Sequence, residues 1–137
     1  MFIAKNSVRM HDTDMAGILF FANQFRFVHD ALEDFSESEG LGFDRLFHEE
    51  KFVFVIVHAE ADYKATLRVG DKLEVHLTVE NVGNSSFTII YKIYKSNNVL
   101  AGTAKTVHVT LDSKSRTKIP IPLELKEILK KHLEATA

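Results

Sequence analysis

The chain has 137 residues, 45% of them apolar and 26% charged, enough for one hydrophobic core and too few for two domains. Seventeen Lys and Arg against nineteen Asp and Glu give a formal net charge of −2, without the basic excess of a nucleic-acid binder. Cysteine is absent, which excludes a disulfide scaffold, a cysteine nucleophile and a thiolate zinc site.

The longest wholly apolar run, Phe52 to Val57, is too short for a membrane helix, so no membrane insertion is expected. Met-Phe-Ile-Ala-Lys at the start lacks the basic and then apolar pattern of a signal peptide, and a cytoplasmic protein is the expectation. No linker, repeat or low-complexity stretch interrupts residues 1–137, which read as a single domain.

Ile3 to His11 alternates loosely, with Val8 and Met10 on one face, and reads as a short strand. A polar turn, His11 to Gly17, leads into the apolar Ile18 to Phe21. Asn23 is placed to cap a helix through its side-chain oxygen. Phe25, Val28, Leu32 and Phe35 recur at helical spacing over about Asn23 to Glu39, with Gly40 as the stop. Glu33, Asp34, Glu37 and Glu39 crowd the anion-disfavouring end and read as a solvated face.

Strands follow. Phe52 to Val57 is apolar on both faces, which predicts cover on both sides. Asp71 to Val82 and Ser86 to Lys95 alternate cleanly around the turn at Gly83-Asn84-Ser85. Ser96-Asn97-Asn98 turns the chain into a strand from Val99 to Leu111. Pro122 opens a short final helix, Leu123 to Leu133. Hairpin-joined strands are antiparallel, so one long helix on such a sheet is an α+β layer. One helix covers one face, and a second subunit is expected to cover the rest.

His11, Asp12 and Asp14 admit four readings. They form a plain turn whose carboxylates bind local amides, a metal site, an acid/base or nucleophilic carboxylate, or a ligand pocket without chemistry. Asp14, between the polar turn and Ile18 to Phe21, is expected to be partly buried, which raises a carboxyl pKa. Gly17 permits close backbone approach, and free N–H groups at the following helix start can polarise a carbonyl oxygen.

Asp12 to Asn23, with its D-x-D-x-x-G opening, resembles the signature of the 4-hydroxybenzoyl-CoA thioesterase family. The likeness continues through Phe54 to Val57, Asp62-Tyr63, Arg68 to Leu73, and Ala101 to Asp112 with Ile119-Pro120-Ile121-Pro122. It covers about Val8 to Pro122. The resemblance implies a hotdog fold, an antiparallel sheet wrapped around one long helix, assembled as a homodimer or homotetramer. It implies an acyl-CoA thioesterase releasing free acid and CoA without metal or organic cofactor. Asp14 would be nucleophile or general base, with Gly17 and the N–H near Phe21 binding the carbonyl oxygen. Asp12 stays a turn residue.

Alternatives within this reading are an aromatic-specific member (1,4-dihydroxy-2-naphthoyl-CoA or 4-hydroxybenzoyl-CoA hydrolase), an acyl-carrier-protein thioesterase, or a non-catalytic acyl-thioester binding module. The family often carries Tyr or His where this chain has Phe21. Some members hold CoA phosphates with basic residues at the hairpin before the fourth strand, whereas Gly83-Asn84-Ser85-Ser86 is uncharged. Hairpin amides with Ser85 or Ser86 hydroxyls are candidate phosphate donors. Lys64, Arg68, Lys105, Arg116 and Lys118 are candidate cations. His58, beside a central strand, and Tyr63, along the substrate channel, complete the candidate binding set. His29, His48, His76, His108 and His132 receive no role.

Overall fold

The structure, a computed structural model, describes residues 1–42, 44 and 51–134. His48 lies outside the described residues. In chain order the regular elements are β1 (Phe2–Ser7), α1 (Gln24–Ser38), β2 (Phe52–Tyr63), β3 (Lys72–Val82), β4 (Ser86–Lys95), β5 (Val99–Asp112) and α2 (Leu123–Lys131). The strands form one sheet in the order β1-β3-β4-β5-β2, every neighbouring pair antiparallel. This is the expected α+β architecture, with α1 lying across the sheet.

The clean alternation of β3 and β4 becomes the core. Leu73, Val75, Leu77 and Val79 face Phe87, Ile89, Tyr91 and Ile93, and all eight are buried. From α1, Phe27, Val28, Ala31, Leu32 and Phe35 close over them. Burying a side chain such as Phe27 stabilises by about 1.5–3 kcal/mol. Phe25 is off this stripe and only half-buried; Phe27, two residues on, takes the core position.

Several boundaries differ from the sequence reading, each for a local reason. β1 ends at Ser7, because Asp12 accepts the Arg9 amide at 2.8 Å and winds Met10–Asp12 into a 3-10 turn. Val8 is therefore buried while Met10 is 79% exposed. Asn23 does not cap α1 with its oxygen. Its Nδ2 donates instead to the Asp12 carbonyl at 3.0 Å. Glu39 is not merely solvated: Lys131 Nζ (2.9 Å) and His132 Nε2 (2.8 Å) of the α2 end bind it. The His132 and Lys131 hydrogen bonds hold its carboxyl below the usual range.

Within the single chain β2 is covered only in part. Phe52 and Val53 are buried, but Val55, Ile56 and Val57 are 36%, 46% and 59% exposed. The strand runs to Tyr63 along the sheet edge, paired on one side by β5 alone. His58 sits on this edge strand, beside Val107 of the interior strand β5, exposed and 3.3 Å from Glu60.

The inner face of β5 carries a buried polar chain. Tyr91 Oη lies 2.9 Å from Thr106 Oγ1, which lies 2.7 Å from His108 Nε2. The His108 ring stacks on Phe87, and its Nδ1 has no partner among the described residues. Burial, with a smaller contribution from the charge of His29, lowers the His108 pKa from 6.5 to about 4. The unfolded chain thus binds a proton near pH 6.5 that the folded chain refuses until about pH 4. Stability therefore rises with pH across that window, and full acidification costs about 3 kcal/mol. Urea unfolding between pH 4 and 7 should show this slope, flattened in His108→Leu. Identical slopes in the two proteins would contradict the assignment.

Candidate active site

The polar motif folds into a tight loop. The Asp14 amide donates to the Ile18 carbonyl and Gly17 donates to the Asp14 carbonyl, both at 3.0 Å. Gly17 has φ +77°, a left-handed conformation that costs a side-chain-bearing residue roughly 1–2 kcal/mol. Thr13 bridges Leu19 and Ile18 bridges Arg68, so the loop lies against segment 67–68. Asp14 is exposed rather than partly buried, because Ile18, Phe20 and Phe21 beside it are themselves exposed in the single chain. Its Oδ1 accepts the Ala16 amide at 2.8 Å, and no described residue binds Oδ2. One carboxylate oxygen is fixed by the loop and the other faces outward.

Phe21–Asn23 forms a 3-10 turn that runs into α1. The opening amides of such a turn have no acceptor within the helix, so they are donors for an oxygen placed there. The Tyr63 hydroxyl donates to the Phe21 carbonyl at 2.8 Å, tying the end of β2 to this turn. A cleft of about 330 Å³ opens between them, lined by Ile18, Leu19, Phe21, Gln24, Tyr63, Lys64, Thr66 and Leu67 among others.

Gln24 is the residue that sequence reasoning missed. It is 1% exposed, and its Nε2 donates to the Asp62 and Thr103 carbonyls at 3.1 and 3.0 Å. This anchors the helix start to the edge strand β2 and to its neighbour β5. Gly102 makes room for it, since a Cβ there would stand 2.6 Å from Gln24 Oε1. In the sequence it is only a polar residue between Asn23 and Phe25, with nothing to mark it as buried.

Asp12 is more than a turn residue. It is fully buried, and Arg26 grips it through Nε–Oδ1 and Nη2–Oδ2 contacts of 2.6 Å each. Burial alone would raise its pKa, but the Arg26 and Arg9 hydrogen bonds outweigh that and hold it below the usual range. Its carbonyl accepts the Phe20 amide at 2.9 Å, so the pair fastens the whole loop to α1.

The structure thus gathers Asp14, Gly17, Phe21, Tyr63, Lys64 and Arg68 at one end of the sheet. It does not bring Ser85 and Ser86 there within one chain. Ser86 pairs with Val109, whereas Tyr63 pairs with Gly102. Seven residues along β5 separate these positions, roughly 23 Å. The hairpin's carbonyls are also committed, Ser85 to the Thr110 amide and Ser86 to the Gly83 amide. Lys105 is paired with Glu80 at 3.3 Å. Among the described residues no group of three His, Cys, Asp or Glu side chains is placed to hold a metal, and no helix is long and apolar enough to cross a membrane.

A second, apolar cavity of about 180 Å³ lies one helical turn beyond Phe21. Phe25, Val28 and Leu32 of α1 form one wall and Ile56 and Ala59 of β2 another. The Tyr91 and Thr106 side chains also line it, with His29.

Known proteins share this sequence and this architecture. Residues 8–129 match the thioesterase-like superfamily. A 1,4-dihydroxy-2-naphthoyl-CoA hydrolase of Nostoc punctiforme is 36% identical over 124 residues, covering 90% of this chain and 83% of that protein. Its counterpart in Synechococcus elongatus is 33% identical over 123 residues, covering 89% and 90%. The crystal structure of a 1,4-dihydroxy-2-naphthoyl-CoA thioesterase from Synechocystis superposes with a TM-score of 0.87 at 29% identity, over 94% of this chain and 95% of that one. With its five-stranded antiparallel sheet, long helix and matched sequence, the chain belongs to the thioesterase-like superfamily and has its hotdog fold.

Proposed function

We propose that this protein, one domain over residues 1–137, hydrolyses the thioester of an aromatic acyl-CoA, with 1,4-dihydroxy-2-naphthoyl-CoA as the leading substrate. Thioester hydrolysis follows from the family. The aromatic choice rests on the 180 Å³ cavity, whose apolar walls at Phe25, Val28, Leu32, Ile56 and Ala59 suit a flat ring system. The names of the cyanobacterial relatives support the same choice.

In this reading the ring enters that cavity and the thioester carbonyl lies at the Phe21 turn. Asp14 Oδ2 attacks the carbonyl carbon or takes the proton of an attacking water. The oxygen that gains charge is stabilised by the amides at Phe21, and Gly17 shapes the loop that leaves Asp14 in reach. Water supplies the hydroxyl of the acid, and CoA leaves as the thiol. Lys64, Arg68 and Tyr63 line the approach. A second copy covers the apolar edge strand β2, since an uncovered edge of this length is an aggregation hazard. The working unit is a homodimer or homotetramer in the cytoplasm, with His58 at the interface.

Initial rates with dihydroxynaphthoyl-, hydroxybenzoyl-, benzoyl-, short-chain and long-chain CoA thioesters test this. The aromatic thioesters should show the highest kcat/KM, the bicyclic one leading. Equal or faster turnover of the alkyl thioesters would contradict it.

A further inference from the structure

We infer that a lysine-lined cleft beside the β4–β5 turn seats the phosphorylated nucleotide end of the CoA substrate; this rests on the CoA thioester reading above. The cleft holds about 430 Å³ and is lined by Lys5, Lys72, Lys95, Glu74, Tyr94 and Asn97 among others. The chain as a whole has a net charge of −2, yet here three ammonium groups face a single carboxylate.

That carboxylate is engaged elsewhere, since Glu74 Oε1 lies 3.1 Å from His76 Nε2. No described carboxylate lies within ion-pair distance of Lys5 or Lys72. In the β1–β3 register Lys5 opposes Glu74 and Ser7 opposes Lys72. Lys5 and Lys72 are therefore diagonal neighbours on one face, roughly 7–8 Å apart at the backbone. Two unpaired cations at that spacing repel, and a phosphate between them relieves the repulsion. Tyr94, half-buried at the same cleft, offers an aromatic face on which a nucleobase can stack.

Position joins this cleft to the chemistry. Lys95 Nζ donates to the Thr66 carbonyl at 2.8 Å, and Thr66 lines the cleft under Phe21 and Tyr63. Gly102 pairs with both Tyr63 and Ile93, and Ile93 pairs with Val75. Tyr63 and β3 are thus three strand spacings apart, about 14 Å. Val75 faces α1 and Lys72 and Glu74 the opposite side, so a pantetheine arm reaches the cleft around the strand ends, past Lys95 and Thr66. Within one chain the uncharged hairpin at Ser85 and Ser86 offers no such continuity.

The test compares kcat/KM for dihydroxynaphthoyl-CoA and for the matching pantetheine thioester, which lacks the nucleotide. Wild type, a Lys5→Ala/Lys72→Ala double variant and Lys130→Ala as a remote surface control are assayed together. The preference for CoA over pantetheine should fall about tenfold in the double variant, through KM, and stay at the wild-type value in the control. An unchanged preference in the double variant would overturn the assignment. Should wild type turn over neither thioester, the hydrolase reading fails and the cleft is judged by calorimetry with CoA and adenosine 3′,5′-bisphosphate. About tenfold weaker binding by the double variant supports it, and equal binding overturns it. Lysine-dependent turnover of an acyl-carrier-protein thioester in preference to the CoA thioester would also overturn it, assigning the cleft to an acidic carrier surface.

Discussion

Replacing Arg26 by Met should cost the protein about 3 kcal/mol of folding stability at pH 7. Breaking one side of a buried ion pair typically costs about 3–5 kcal/mol, and the low end applies because Arg26 keeps 30% exposure. Asp12 would be left fully buried with only the Arg9 amide and the largely exposed His11 ring, 3.6 Å away, to offset its charge. The same guanidinium also reaches the Ser7 carbonyl at 3.1 Å and Asp30 at 3.0 Å, so β1, the loop and α1 all lose a fastening.

The effect carries a pH signature. The Asp12 pKa is depressed in the fold, so the pair's stabilisation is present above the ordinary carboxylate range and is lost as pH falls through the folded value. The gap between wild type and Arg26→Met should therefore be widest near neutrality and shrink in strong acid. Urea unfolding at pH 7 and in acid reads both. A loss below about 1 kcal/mol at pH 7 would mean that the pair behaves as a surface salt bridge.

Much of the fold was legible because its strongest signals are local. The alternation of Leu73 to Val79 against Phe87 to Ile93 and the apolar recurrence along α1 need no knowledge of the rest of the chain. The family motif then gave the architecture and pointed to Asp14, Gly17 and Phe21, which fold into adjoining turns. Long-range features were not legible. Gln24 is anchored to carbonyls 38 and 79 residues away, and the Asp12–Arg26 pair joins a loop to a helix face. Neither leaves a periodic trace.

The apolar run of β2 carries the expectation of a covering second subunit, and in the single chain Val55, Ile56 and Val57 are exposed, as a strand awaiting such cover would be. On the inner face of β5, Thr106, His108 and Thr110 are buried polar residues, so hydropathy alternation there points the wrong way. The lysine cleft draws on the ends of β1, β3 and β4, which only the sheet order places together.

Asp14→Asn tests the account most directly, because the substitution is nearly isosteric and separates charge from shape. The Asn side-chain oxygen can still accept the Ala16 amide, so the loop around Gly17 should persist and stability should change by no more than about 0.5 kcal/mol. In the proposed mechanism the variant lacks the carboxylate that would attack the carbonyl or deprotonate water, a contribution of roughly 10²- to 10⁴-fold for a positioned base. The measurement is thiol release from 1,4-dihydroxy-2-naphthoyl-CoA by wild type and Asp14→Asn in parallel, with both confirmed as folded. The account predicts steady release by wild type and a rate at least a hundredfold lower in the variant. A variant rate within twofold of wild type would contradict it.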